Sequence, residues 1–179
     1  MSSRAERFTV PCAFHGEGPF WDSVNNRLLL VDMLAGTVVA VGTDGDTQRH
    51  KLATATVAAA IRARRGGGYV LATENQFVLL GPDLIQQTAL PPVFTDPLIR
   101  MNDGGCDPQG RFYCGTMAYA ETPGAGTLYR LDPDGSVQVT LREVTISAVE
   151  PGGRHVFYAD TPTGRVDSFD FDPASGYAV

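Results

Sequence analysis

Arg100, Asn102 and Asp103 stand together at the head of RMNDGGCDPQGRFYCGTM, residues 100–117. A guanidinium is a planar fork of donors that matches a carboxylate or a sugar-acid group. Amide and carboxylate oxygens are hard ligands suited to Ca2+, Mg2+ or Mn2+, and a carboxylate also binds Zn2+. A further acid, Glu17, lies in GEGP (16–19) between two glycines that permit a close approach. A divalent ion held by such groups polarises a carbonyl or lowers the pKa of water. Asp103 is then either a proton acceptor or an outer anchor. The same residues also have a plain structural reading. Asn-Asp-Gly is a frequent turn sequence, Glu-Gly-Pro can simply open a strand, and Arg100 can pair with a surface acid.

What decides between these readings is the set of elements that positions the residues. Four segments share one grammar of polar or Gly turn, β-prone run and closing Asp, Thr or Glu: WDSVNNRLLLVDM from Trp21, IRARRGGGYVLATE from Ile61, CDPQGRFYCGTM from Cys106 and VEPGGRHVFYADT from Val149. Their starts are 40, 45 and 43 residues apart. Short strands at regular spacing predict an all-β fold, and this period is that of a four-stranded propeller blade. The expectation is one β-propeller domain over residues 1–179 with about four blades, in preference to a sandwich. The Ala-rich ATATVAAAIRA at 53–63 reads as strand, from its Thr and Val content and its place in the repeat. RARR at 62–65 reads as a solvated turn. Four residues before each anchor stand Glu17, Val57, Asn102 and Thr145, one per repeat. Equivalent blade positions form a ring around the channel, so Glu17 and Asn102 are predicted neighbours at one mouth, flanked by Arg100 and Asp103.

Composition narrows the functions. The 179-residue chain carries a net charge of −6, without the basic footprint of a nucleic-acid partner. No apolar run reaches membrane-spanning length, and MSSRAERFTV lacks the apolar core of a signal peptide, so the cytoplasm is the expected compartment. Cys12, Cys106 and Cys114 form no CxxC, which argues against structural zinc and a disulfide framework. His15, His50 and His155 lack ligand spacing, although His15 lies close enough to Glu17 for a place at the rim. There is no GxSxG elbow, P-loop or GxGxxG.

GEGPFWD (16–22), ATENQFVLL (72–80), RMNDGGCDPQGRFYCGTMAY (100–119), GTLYRLDPDG (126–135) and YADTPTGRVDSFDFD (158–172) resemble the senescence marker protein (regucalcin), gluconolactonase and luciferin-regenerating-enzyme family. The resemblance runs across nearly the whole chain and is most specific in the 100–117 string. It implies a six-bladed propeller with one divalent metal in the channel, usually calcium or zinc, and hydrolysis of sugar lactones or related esters. It makes Glu17 a metal ligand, places Arg100 and Asn102 at substrate-binding positions, and matches Asp103 to the motif's Asp, taken as the catalytic residue. A further acidic substrate contact falls at Ala120, with Glu121 one residue later as its substitute.

Two departures bear on activity. The family pattern at the fourth anchor is Ile-Ser-Asn-Gly-Leu, its Asn a metal ligand, whereas VTISAVEPGGR (144–154) runs from Ser147 directly into Ala148. Six blades at this spacing need roughly 260 residues, so the family's remaining Asp ligand has no counterpart before Val179. The expectation is a metal-dependent lactonase-type hydrolase that is impaired in this chain, acting on a small lactone or sugar acid. The rival is a non-catalytic propeller module that binds a sugar acid or a protein partner. Open blade edges also predict self-association.

Overall fold

The computed structural model describes residues 4–53, 55–144, 147–152 and 154–178, with the backbone alone at 147–152 and 178. Four antiparallel four-stranded sheets follow one another along the chain. The first holds β1 (Gly16–Asp22), β2 (Arg27–Asp32), β3 (Thr37–Gly42) and β4 (Thr47–Lys51). The second holds β5 (Ala60–Ala63), β6 (Tyr69–Ala72), β7 (Phe77–Leu80) and β8 (Gln87–Ala89). The third holds β9 (Ile99–Cys106), β10 (Phe112–Ala118), β11 (Gly126–Leu131) and β12 (Val137–Val144). The fourth holds β13 (Ser147–Gly152), β14 (His155–Asp160), β15 (Arg165–Asp172) and β16 (Tyr177–Ala178). Strands pair in sequence order within each sheet, as short turns dictate. The first strand of each sheet lies beside the first strand of the next, β1 by β5, β5 by β9 and β9 by β13. This is the inner ring of a β-propeller, built here of four blades among the described residues.

Apolar clusters sit between blades rather than within one. Leu29, Val31 and Val38 of blade 1 pack with Ile61, Leu71 and Val78 of blade 2. Phe77 of blade 2 meets Phe112 of blade 3 edge-on at 5.7 Å between centroids. Tyr113 and Leu128 of blade 3 close on Val156 and Phe171 of blade 4. Each such side chain contributes roughly 1.5–3 kcal/mol when buried, so each blade is stabilised by its neighbours.

Polar latches cross the same seams. Tyr69 on β6 donates its hydroxyl to the buried carboxylate of Asp22 on β1, which also accepts from Asn25 and Arg27. Burial alone would raise the Asp22 carboxyl, but these bonds outweigh it and hold it below the usual range. The unfolded chain therefore binds the proton more tightly. The Asp22 contribution is complete above about pH 3.8 and is lost as pH falls through the lower folded value. Asp32, bonded to His15 and Arg49, acts with the same sign. Urea melts are expected to show constant stability near neutrality and a decline below pH 4, steeper in the native chain than in Asp22→Asn. Tyr69→Phe should cost about 1–2 kcal/mol, read as a lower urea midpoint with unchanged slope.

At the far seam, Arg111 donates to Pro173 O at 2.8 Å, Arg130 to Ser175 O at 2.7 Å and Tyr113 to Gly176 O at 2.8 Å. Three side chains of blade 3 thus grip the β15–β16 turn of blade 4.

Two sequence expectations need correction. Among the described residues of 53–63 only β5 is strand. Its lead-in, buried at Val57, Ala58 and Ala59, leaves the ladder, because Ala58 N donates to Met33 O at 3.0 Å while Ala59 N donates to Ala72 O at 2.8 Å. The segment is stitched to two blades at once. Of RARR, only Arg64 and Arg65 are exposed turn residues. Arg62 lies on β5, half-buried, and its charge lowers the pKa of the Asp103 carboxyl. Among the ring slots, Val57 is buried in an apolar cluster, and Thr145 lies outside the described residues.

Candidate functional site

The two chemistry-bearing strands share a local defect. Along β1, Glu17 faces Val31 and Phe20 faces Leu29, so Gly18 and Pro19 together oppose Leu30. Along β9, Met101 faces Thr116 and Gly104 faces Cys114, so Asn102 and Asp103 together oppose Gly115. Each is a β-bulge, with two residues set against one, and a bulge re-aims the side chains around it. Gly18 takes the positive φ of 54° that the first bulge requires. Gly104 closes the second, with no room for a side chain. A Cβ there would sit 2.1 Å from Tyr113 O. The bulge lets the consecutive residues Asn102 and Asp103 both line one cavity, which strict alternation would forbid.

That cavity, about 340 Å3, brings together Glu17, Arg100, Asn102, Asp103 and Glu121. His15, Met33, Met117 and Thr161 complete its wall, and of these only His15 had a sequence signal, its nearness to Glu17. The His15 backbone is pinned from both sides. Its N–H donates to Asp32 Oδ1 at 2.9 Å and its carbonyl accepts from Met33 N at 2.8 Å. Its Nε2 lies 3.3 Å from a carboxylate oxygen of Glu17, whose side chain is 50% exposed. Glu121 is exposed and adopts a positive φ of 54°, in the tight turn after β10.

Arg100 is the unusual member. It is only 8% exposed. Its guanidinium contacts Met33 Sδ at 3.2 Å, Met101 O at 3.0 Å and Asn102 Oδ1 at 3.0 Å. It also lies over the Tyr119 ring at 5.8 Å. Among the described residues no carboxylate comes within ion-pair distance of it. Burial pulls its pKa down, and the more distant Tyr119, Glu17 and Glu121 only partly offset this. A buried cation without an anionic partner is costly and is stabilised by an anion that enters beside it. Asp103 shows the opposite displacement. Burial pushes its carboxyl up, against the lowering effects of the Gly104 N–H and Arg62, while Glu17 pushes it further up.

The fit of a divalent ion can be read from the donors. Asn102 Oδ1 already accepts from Arg100, and Asp103 Oδ1 accepts from Gly104 N at 2.8 Å. Among the described residues no three His, Cys, Asp or Glu side chains gather closely enough to hold a metal. Glu17 supplies one carboxylate, whereas hard cations collect six or more oxygens. The described residues therefore do not make a metal site by themselves. No helix among them is long and apolar enough to cross a membrane.

Residues 15–178 match the family model described as the SMP-30/Gluconolactonase/LRE-like region. Regucalcin of Danio rerio is 32% identical over 166 residues, an alignment that covers 90% of this chain and 56% of the relative. The chain thus spans little more than half the length of the curated relatives it matches. A luciferin-regenerating enzyme superposes with a TM-score of 0.83 at 25% identity, over 93% of this chain and 59% of that one. A calcium-binding protein, regucalcin, from Agrobacterium tumefaciens superposes with a TM-score of 0.82 over 93% of this chain and 57% of that one. At 22% identity, this second likeness concerns the fold alone. The family-wide match across blades that carry the bulged GEGP and NDGG strands establishes that this chain belongs to the SMP-30/gluconolactonase/LRE-like family.

Proposed function

We propose that the channel-mouth cavity is the sugar-lactone site of a lactonase-type hydrolase, and that hydrolysis by this chain is weak. The observation that carries the reading is Arg100, a buried guanidinium lining a polar cavity with no carboxylate within ion-pair distance among the described residues. A lactone carbonyl, or the carboxylate of the product acid, supplies the missing acceptor. Asn102 and Glu121 take the sugar hydroxyls. Asp103 accepts the proton of the attacking water, and its raised pKa makes it a better base than an exposed carboxylate. Glu17 is the residue that would hold a divalent ion, calcium or zinc by family resemblance. No step is assigned to that ion, because the described residues supply too few of its ligands.

The incomplete donor set favours a second reading, in which the same pocket holds a sugar acid without turnover. Asp103→Asn separates the two. If the chain hydrolyses glucono-δ-lactone, the variant should lose at least about tenfold in kcat, the scale of general-base catalysis, and keep its gluconate affinity. Hydrolysis at background in both proteins, with gluconate bound, would establish the binding-only reading. Residual hydrolysis that survives Asp103→Asn unchanged would remove Asp103 from the chemistry.

A further inference from the structure

We propose that the groove between the second and third blades binds a small amphipathic carboxylate, with its apolar tail on the groove floor and its carboxylate on Arg64. The groove has a volume of about 560 Å3, within the range of small-molecule pockets. It is separate from the Arg100 cavity. Arg100 stands near the start of β9 and Cys106 at its end, so the two sites lie roughly 20 Å apart at 3.3 Å per residue.

The floor is apolar, formed by Val70, Leu79, Leu90, Phe112 and Leu131. The rim is made of three turns, which carry Arg64 and Arg65, Asp107, and Asp132 with Asp134. Two of the three acids are held in ion pairs, and the third is hydrogen-bonded within its own turn. Asp107 pairs with Arg111, Asp132 pairs with Arg130 at 3.0 Å, and Asp134 Oδ1 accepts from Ser136 N and Oγ. Arg65 reaches across to Pro108 O at 2.8 Å and straps the mouth. The Arg64 guanidinium, exposed on the same rim, makes no ion pair or hydrogen bond among the described residues. Of the rim charges without an ion pair among the described residues, Arg64 and Arg65 outnumber the one carboxylate, Asp134, so the rim presents net positive charge to an incoming headgroup, over a floor that accepts a hydrocarbon chain. Both flanking blades have all four strands here, so the groove does not depend on any further blade.

Cys106 lines the groove and is partly exposed, which provides a built-in reporter. In a chain carrying Cys12→Ser, Cys106 is the accessible thiol, since Cys114 is fully buried. The test measures maleimide labelling of Cys106 against octanoate concentration, with calorimetric titration of octanoate as a readout independent of the thiol. Saturating octanoate is expected to slow labelling by roughly fivefold or more, because thiol reactivity follows access. Arg64→Ala should raise the half-protecting concentration about tenfold, and 1-octanol, with the same tail and no charge, should protect about tenfold less well. Absence of both protection and heat with octanoate would overturn the site. Equal action of octanol and octanoate, or no effect of Arg64→Ala, would overturn the recognition of an anion.

Discussion

Replacing Arg100 with methionine is expected to weaken gluconate binding by about 10- to 100-fold while leaving thermal stability unchanged or higher. The affinity loss follows from removing a charge-assisted, bidentate-capable donor, worth about 1.5–3 kcal/mol. The stability result follows from burial. Arg100 is 8% exposed and its near contacts are a thioether, a backbone carbonyl and an amide oxygen. Methionine fills similar space without the cost of burying a charge. Calorimetric melts of both proteins, with and without gluconate, read the two quantities together, since a ligand that binds only the folded state raises its melting temperature. The native protein should show a clear gluconate-dependent rise, and Arg100→Met almost none. A large fall in the melting temperature without ligand would instead mark Arg100 as a structural residue.

Gly104→Ala should be the most damaging single substitution in the motif. The added Cβ would lie 2.1 Å from Tyr113 O and 3.1 Å from Cys114 Cα, both backbone atoms of the paired strand β10. Neither can move without opening the β9–β10 ladder beside the bulge. Overpacking of this kind costs about 3 kcal/mol or more, a fall of roughly 6–12 °C in melting temperature for a chain of this size. Gluconate binding should fail with it, because the bulge that aims Asn102 and Asp103 is closed by Gly104. Gly66→Ala serves as the control. Beyond its chain neighbours, no atom of the described residues lies within 4 Å of its Cβ position, so its melting temperature should stay near that of the native chain. Equal melting of both variants would contradict the close approach.

The repeat made much of this arrangement legible. Turn-strand units at 40-, 45- and 43-residue spacing correspond to four consecutive four-stranded sheets. The shared phase of Glu17 and Asn102 corresponds to their meeting at one cavity. The same phase did not carry Val57 there, because that slot falls in a segment stitched to two blades and packed into the core. The bulges were present in the sequence as paired small or polar residues, GEGP and NDGG, but a period-2 strand reading has no place for an extra residue. Arg62 was hidden by its charge. In a run of three arginines it reads as solvent-facing, yet the first of them lies on β5 and acts on Asp103. Met33, Met117 and Thr161 carry no signal of their own and reach the cavity only through the ring geometry.

The most direct test of the account is a calorimetric titration of gluconate into the native chain in excess chelator. A pocket anchored by Arg100 predicts one-to-one binding that persists without divalent ions and disappears in Arg100→Met. A folded chain that takes up no gluconate, or takes it up only when a divalent ion is restored, would contradict it.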